Sequence, residues 1–600
     1  MIKKDKITFK YGVRTQIRVV EGYRDKDGKV KQKTIKTFGY LEDQPNQESF
    51  MEMVKNFDQD YKNSKNIKLN KPTNILFHLD PSGVEYNYGY RFLEAIYDKL
   101  EIDKFLDSVG TKTEYSLSEI FKFLVLQRIL KPDSKRATYQ SIQYFYNKFD
   151  DFSLQNIYRS LSKFDEVKVE LQKHINDKIK KIIGRDTTYA FYDVTNYYFD
   201  IDFNDDDIYD QKGNLIETAL RKKGVSKEHQ LTPIVQLGLF LDNNGIPINM
   251  SLFSGNTSDT KTLQPVMSEV KNNYGLNRLI IVADKGLNSI DNINFICNNN
   301  DGFVVSQTLR GKKGKRYHEH IFNDKDYVYN NDKTFKYKTF TEEYEGLDKD
   351  GKKVTRKRRV LIYWKYEDAI MALRKRNEKV DKAMKSLGNN AYAIKHSYEE
   401  YIKETHSINE TGEVADKTNK VINQEKIEND ALYDGYFCII TSELEYDHNK
   451  IMEVYGGLWK IEETFRITKS ELDVRPIYVS TNEHIQGHFQ ICFVSLILLR
   501  MLQLKIKSNQ MSIERIVRAL NGCLCTIPEK GIIHLPRGAI NREYKYMKNK
   551  KGETVSTLTL SEDDERIQDL LKILESYNVQ PFFSNSYQSD FNNYLRTIKY

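Results

Sequence analysis

Cysteine is scarce in this chain, and so are long apolar runs, repeats and charge of one sign. The five cysteines, Cys297, Cys438, Cys492, Cys523 and Cys525, are odd in number and scattered over 600 residues, which excludes a disulfide framework. Cys523-x-Cys525 has no second pair to complete a zinc site, and His318-x-His320 and His484-x3-His488 read as surface or core histidines despite their ligand-like spacing. The longest apolar run, Ile491–Leu499 (ICFVSLILL), closes at Arg500. It is too short to cross a bilayer and reads as a buried helix. The amino terminus, MIKKDKITFKYG, lacks the apolar stretch of a signal peptide. Charge leans only slightly: 93 Lys plus Arg face 85 Asp plus Glu, net +8 with a pI near 8.7. That is compatible with nucleic acid without pointing to it. Two basic clusters, Arg310–Arg316 (RGKKGKR) and Lys352–Arg359 (KKVTRKRR), suit solvated loops and phosphate contacts equally. No internal repeat is found. The expectation is a soluble, cytoplasmic protein of several domains with reduced thiols and no membrane partner.

What is there is most informative at Val454–Lys469, VYGGLWKIEETFRITK. On a helix at about 100° per residue, Tyr455, Leu458, Glu462 and Lys469 share one stripe. A phenol, a carboxylate and an ammonium on one face suit a metal-bound phosphate. Ile461, Phe465 and Leu472 form the apolar stripe that seats the helix on a core. Taken alone, such a face also fits an ordinary solvated helix.

Two further carboxylates bear on that choice. In Thr188–Tyr198, TYAFYDVTNYY, an aromatic and β-branched run leads to Asp193, and in Leu279–Gly286, LIIVADKG, an apolar run ends in Asp284. Both read as buried strands with an acid at the carboxyl end, the edge of a mixed sheet where ligands bind. Each aspartate singly also fits a strand-to-loop cap. Two strand-end aspartates and a helix-borne glutamate can converge on a pair of Mg²⁺ ions, which take hard oxygen ligands and drive in-line phosphoryl displacement.

With these blocks in view, the chain resembles the DDE insertion-sequence transposases with an RNase H-like catalytic domain, in the branch marked Y-x2-R-x3-E-x6-K. FYDVTNYYF (191–199) resembles the first catalytic strand, and GVSKEHQLTPIVQLGLFLDNNGIPI (224–248) the second and third. LFSGNTSDTKTL (252–263) resembles the G-N-x-x-D turn into a helix, IIVADKG (280–286) the strand of the second aspartate, and DGYFCIITSE (434–443) the strand entering the glutamate helix. The blocks run in family order over roughly half the chain. The resemblance implies Asp193, Asp284 and Glu462 as catalytic triad and metal ligands, with Tyr455 and Lys469 on DNA phosphate. The signature Arg is Leu458 here, and Arg466, four residues after Glu462, is the preferred substitute, with Lys460 the other candidate. Glu463 points about 100° away from Glu462.

The expected fold class is α/β: an RNase H-like mixed sheet with flanking helices, interrupted by an inserted domain, plus a mainly helical amino-terminal DNA-binding region. Residues 1–75 read as a β-hairpin around Asp27-Gly28, with Lys31, Lys33 and Lys36 on it, and a polar linker with a short helix. Residues 76–186 read as helices over Ser116–Leu130, Ser134–Lys148 and Ser153–Phe164. Lys135, Arg136, Arg159 and Lys163 lie on the outer faces of the latter two, as suits a helix-turn-helix unit or an ordinary bundle. Residues 187–309 and 434–507 are the two parts of the catalytic core. Residues 310–433 are too long for a loop and read as the insertion, with strands at Thr339–Tyr344 and Val360–Trp364 and a helix at Ala369–Leu387. Trp364 and Trp459 read as packing residues. Residues 508–600 form a carboxy-terminal region with a helix at Met511–Leu520, a hairpin near Lys548–Thr557 and a helix at Ser561–Glu575, whose Ile567, Leu570, Leu571 and Leu574 make an apolar stripe.

The resemblance further implies a bacterial enzyme using two Mg²⁺ ions, with Mn²⁺ as substitute. It would free a 3′-hydroxyl at the element's end and join it to target DNA in one transesterification, without a covalent enzyme intermediate. Double-stranded DNA (terminal repeats and target) is the implied partner, in a homodimeric synaptic complex on the nucleoid. Two alternatives stand beside it: a nuclease of the same fold without strand transfer, and a non-catalytic DNA-binding regulator.

Overall fold

The computed structural model describes the chain except residues 1, 10–11, 25–28, 44–46, 49, 53, 56, 59–83, 110–112, 150–151, 229–230, 277, 388–398, 409–413, 507–510, 528–530, 534, 536–541, 549–553, 561 and 583–585. The chain divides into two units, the first made of Met1–Gly83, Ile527–Leu535 and Phe583–Phe591. Three antiparallel strands, β1 (Ile2–Phe9), β2 (Gly12–Arg24) and β3 (Val30–Tyr40), form its sheet. The sequence predicts β2 and β3 alone. β1 escapes because IKKDKITF carries little apolar alternation; Ile2 packs against the Ile17–Val19 core, and Asp5 pairs with Arg18. The Asp27-Gly28 turn and much of the linker lie outside the described residues. Phe50 and Val54 are buried against Ile17 and Val19, so part of the polar stretch packs on this sheet.

The second unit opens with the short β4 (Glu85–Asn87) and a set of helices. The helix Leu117–Leu130 is capped by Ser116, which accepts from Glu119 N–H at 3.2 Å, and it stops before Lys131-Pro132 as expected. The helix expected over Ser134–Lys148 is shorter, Lys135–Gln140 followed by a 3-10 turn at Ile142–Tyr144. Phe145 and Phe149 leave the helical path to pack their rings on Phe123. Lys135 is buried rather than on an outer face.

Nine strands make the main sheet, in the order β12-β13-β14-β17-β11-β10-β5-β8-β9. They are β5 (Tyr189–Tyr198), β8 (Ile234–Leu241), β9 (Pro247–Ser254), β10 (Ile280–Ala283), β11 (Gly302–Ser306), β12 (Val328–Tyr329), β13 (Phe335–Leu347), β14 (Lys353–Lys365) and β17 (Tyr436–Thr441). Among the small pairs outside it are β6 (Ile208–Tyr209) with β7 (Leu215–Glu217), and β15 (Ile402–Ile408) with β16 (Val414–Ile422). β10 is parallel to both β5 and β11, and the other pairings are antiparallel, so the sheet is mixed. Segment 310–433 supplies β12, β13 and β14, and β14 pairs with β17 from Arg359↔Thr441 to Trp364↔Tyr436.

Alternation along β5 divides the faces. Ala190, Tyr192 and Val194 turn into the core formed with helices Leu263–Tyr274 and Ile290–Asn298. Asp193 and Tyr197 turn to the opposite face, where Tyr197, Leu237, Leu239 and Met250 meet Phe489, Phe493 and Leu496 of the helix Asn482–Lys505. That helix is longer than the apolar run within it suggested. It is long and apolar enough to cross a membrane, yet 94% of its apolar window is buried in the protein. Its polar residues have internal partners: Gln490 with Gln172 at 3.0 Å, Ser495 with the Val125 carbonyl at 3.0 Å. All five cysteines are free.

Candidate active site

Asp284 stands just past the end of β10, as expected, but Asp193 does not end its strand. β5 continues to Tyr198, held by β8 through Asp193↔Leu239 and beyond to Tyr198↔Ile234. The strand that ends is its other neighbour. β10 pairs with β5 only as far as Val282↔Phe191, and two residues further along each parallel strand stand Asp284 and Asp193. The two carboxylates therefore leave adjacent strands on the same face, where β10 stops and the flank of β5 opens.

Electrostatics record the proximity. Burial pushes the Asp193 carboxyl up to about 6; Lys227 and the Val194 N–H oppose this, while Asp284 and Asp259 add to it. The Val194 N–H donates to Asp193 Oδ1 at 2.7 Å, and Ser306 Oγ at the end of β11 donates to Asp284 Oδ1 at 2.8 Å.

The segment Val454–Lys469 is two helices, not one. A tightened turn at Gly457-Leu458 separates His448–Gly456 from Trp459–Ser470, so the single stripe expected across them is interrupted. The reason is contact with β5: a Cβ on Gly457 would lie 2.5 Å from Phe191 Cζ, and only glycine lets the backbone approach this strand so closely. Tyr455, in the last turn of the first helix, stands beside Ser306 and Asp284. Burial pushes its phenol up to about 12; Ser306 opposes this, while the Asp284 and Glu462 charges add to it. Tyr455, Asp284 and Ser306 line one end of a groove of about 280 Å³, with Tyr363 and Phe437 further along.

The second helix is fixed to β5 by Tyr197 Oη and Thr468 Oγ1, 2.5 Å apart. Ile461, Phe465 and Leu472 are buried as the apolar stripe requires, while Glu462 and Arg466 are exposed on the outer face. Glu463 is engaged elsewhere: the buried Arg500 donates to it at 2.8 Å and to Thr464 Oγ1 at 2.8 Å. Leu458 is buried at the kink. Lys460 donates to the Asn243 carbonyl at 2.7 Å, and among the described residues Arg466 reaches only Glu463, at 4.0 Å. Lys469 is half-buried and donates to Glu228 at 2.9 Å. Trp459 is 57% exposed, so it is not the packing residue expected. Trp364 donates its ring N–H to the Asp434 carbonyl at 3.0 Å.

Asp193, Asp284, Ser306 and Tyr455 are thus brought together, with Glu462 close enough to act on Tyr455. Among the described residues no three Asp, Glu, His or Cys groups are close enough to hold a metal ion, so Glu462 stands off from the aspartate pair. The donor chemistry fits a hard divalent cation: two carboxylates side by side, one of them charged only against the cost of burial. Sequence reasoning passed over Asp259, Lys227 and Ser306. The signal for Asp259 was present, as the acid of the G-N-x-x-D turn; Lys227, which donates to the Val194 carbonyl and pairs with Asp259 at 3.5 Å, sits in a loop with no periodicity to mark it.

Two family models match the chain: the amino-terminal domain of the IS1634 family transposases over residues 2–66, and the transposase DDE domain over residues 216–498. The second span includes Asp284 and Glu462 and begins after Asp193. Among solved structures, the piggyBac transposase synaptic complex with hairpin DNA is similar at 12% identity and a TM-score of 0.29, over 72% of this chain and 78% of that one. The Mos1 transposase paired-end complex with the left transposon end is similar at 11% identity and a TM-score of 0.14, over 33% of this chain and 59% of that one. Neither likeness is close enough to fix the fold. No curated protein matches.

Proposed function

Because this chain belongs to the insertion-sequence DDE transposases, we propose that Asp193, Asp284 and Glu462 are the triad with which it cuts and joins DNA. The observation that carries the reading is the pairing of Asp193 with Asp284 on one face of adjacent strands, with the Tyr455 helix seated on the same strand at Gly457. On this reading β5, β8, β9, β10, β11 and β17 are an RNase H-like core, and segment 310–433 is an insertion that extends the sheet with β12, β13 and β14. Residues 1–75 and 76–186 bind the terminal repeats, where phosphate contacts position the protein and base contacts specify the site. Residues 434–507 complete the core, and 508–600 follow as a carboxy-terminal region.

The residues divide the work by chemistry. Asp193 and Asp284 would hold divalent cations, Mg²⁺ or Mn²⁺, and Glu462 would close on them from the helix. When bound, such ions supply an activated hydroxyl and charge stabilisation at the leaving oxygen. Ser306 holds Asp284 through its 2.8 Å hydrogen bond. The high Tyr455 pKa keeps its phenol protonated, able to donate to a phosphate oxygen. Lys469 and Arg466 would add positive charge along the strand being cut. Joining two ends calls for two copies of the chain, a homodimer on DNA in the bacterial cytoplasm.

The test is cleavage of a labelled duplex carrying the element's terminal repeat, with Mg²⁺ or Mn²⁺, by wild type and Glu462→Gln. Metal-dependent 3′-hydroxyl ends and joined products that vanish in the variant are the expected result, a loss of at least about a hundredfold. End binding with no cutting by wild type would overturn it in favour of a regulator.

A further inference from the structure

Glu228 lies between two cations near the candidate site. One of its oxygens accepts from Lys469 Nζ at 2.9 Å, and the other pairs with Arg475. Burial raises the Glu228 carboxyl, but Lys469 and Arg475 overcome this and hold it below its ordinary value. The two cationic side chains are 16% and 27% exposed, sheltered enough to hold direction and open enough to be reached. An ammonium and a guanidinium converging on two oxygens of one anion is the arrangement that takes two non-bridging oxygens of a phosphodiester.

The three residues come from separate parts of the fold. Lys469 closes the glutamate helix, and Arg475 follows it on the extended segment that joins β5 at Phe199↔Ile477. Glu228 belongs to the loop before β8, and its neighbour Lys227 reaches the Val194 carbonyl and Asp259 beside Asp193. One loop thus lays a positive charge by the carboxylates and a negative charge by the cations, the same pattern that a metal-bearing DNA strand would bring. Of the two residues considered as substitutes for the signature Arg, Lys460 is committed to the Asn243 carbonyl and Arg466 faces solvent at 52% exposure. Arg475 is the guanidinium that shares an anion with Lys469.

We propose that Glu228 is a stand-in for DNA phosphate, holding Lys469 and Arg475 until a strand displaces it, and that Arg475 supplies the guanidinium contact absent at Leu458. This rests on the reading above in taking Lys469 as a DNA-facing residue. Glu228 is then an autoinhibitory contact and Arg475 a phosphate ligand of the same site.

The experiment is binding of the full chain to a fluorescent terminal-repeat duplex in Ca²⁺ over a series of salt concentrations. Glu228→Gln should bind about fivefold more tightly, the upper range for a partly exposed ion pair. Arg475→Gln should bind more weakly and reduce the slope of log affinity against log salt by about 0.9, one phosphate contact. Arg475→Lys should restore that slope, and Glu228→Gln combined with Arg475→Gln should lose most of the gain. Glu228→Gln binding no more tightly than wild type, or an unchanged slope in Arg475→Gln, overturns the proposal. If Glu228→Gln unfolds at a lower temperature, the comparison of Arg475→Lys with Arg475→Gln decides alone. Cleavage by wild type and Glu462→Gln is scored separately. Binding that follows these slopes without cutting overturns only the catalytic reading, and cutting with unaltered binding in the variants overturns only this one.

Discussion

Lys135 shows what a single residue can hide from pattern reading. Its spacing places it on a solvated face beside Arg136, yet it is 4% exposed, with Nζ 3.1 Å from His488 Nδ1. Burial, then Arg128, push it from 10.5 down to about 7, with Cys492 acting weakly the other way, and the Asp133 and Asp473 side chains lie exposed at the rim. His488 is held well below its usual range, mainly by burial, and stays neutral above neutrality. The linkage has a definite sign. Between about 7 and 10.5 the unfolded chain carries the Lys135 proton and the folded one does not, so stability rises with pH across that window. At and below neutrality the full cost of the buried charge is present. Lys135→Met should therefore be more stable than wild type by about 2 kcal/mol near neutral pH, net of the acceptor left on His488. The gap should narrow by roughly 1 kcal/mol per pH unit towards pH 9. Urea unfolding at three pH values measures it, and a constant or widening gap would show that Lys135 is not buried as a free base.

At the scale of elements, strands with unbroken apolar runs were legible and charged ones were not. IVQLGLFL of β8 is buried at every position, and LIIVAD told both its strand and its acid. The end of β5 was misplaced because an acid after an apolar run looks like a terminus. Asp193 sits mid-strand because β8 pairs with β5 beyond it, and it opens to the site because β10 stops short; a partner's length is invisible in a strand's own sequence. The glutamate helix was legible from its 3.6-residue period, while its kink depends on Phe191, far away in the chain. The hairpin β13–β14, full of Lys, Arg and Glu, read as two short strands within an insertion. It extends over thirteen residues in each arm and pairs with β17 across six positions. β17 leads into the Tyr455 helix, so the hairpin braces the strand that positions the site. Replacing residues 312–431 with a short linker should expose one edge of β17 along those six positions. The expected outcome is aggregated protein on size-exclusion chromatography. A soluble truncation with the wild-type melting temperature would mean that the insertion is dispensable to the core.

For the whole molecule, the candidate triad joins segments far apart in sequence: a strand from before the DDE-domain match, a strand end inside it, and a helix that follows segment 310–433. Burial and the neighbouring Asp284 charge both raise the cost of ionising Asp193, so the folded arrangement carries a carboxylate that a cation would relieve. A cation that binds only the folded arrangement stabilises it by RT ln(1 + [L]/Kd), about 2.7 kcal/mol at a hundredfold excess over Kd. In a chain of two units this acts on the one that contains the sheet, so it should move a single thermal transition and leave the other in place. Calorimetry with Mg²⁺ or Ca²⁺ should show that transition rising by several degrees and returning on chelation. Asp193→Asn removes a buried charge and its repulsion with Asp284, so its metal-free transition should lie above that of wild type while its response to the ion disappears. The two curves should therefore cross as ion is added. Loss of a merely structural carboxylate would lower the metal-free transition and leave the response intact, and that result would remove Asp193 from the metal site.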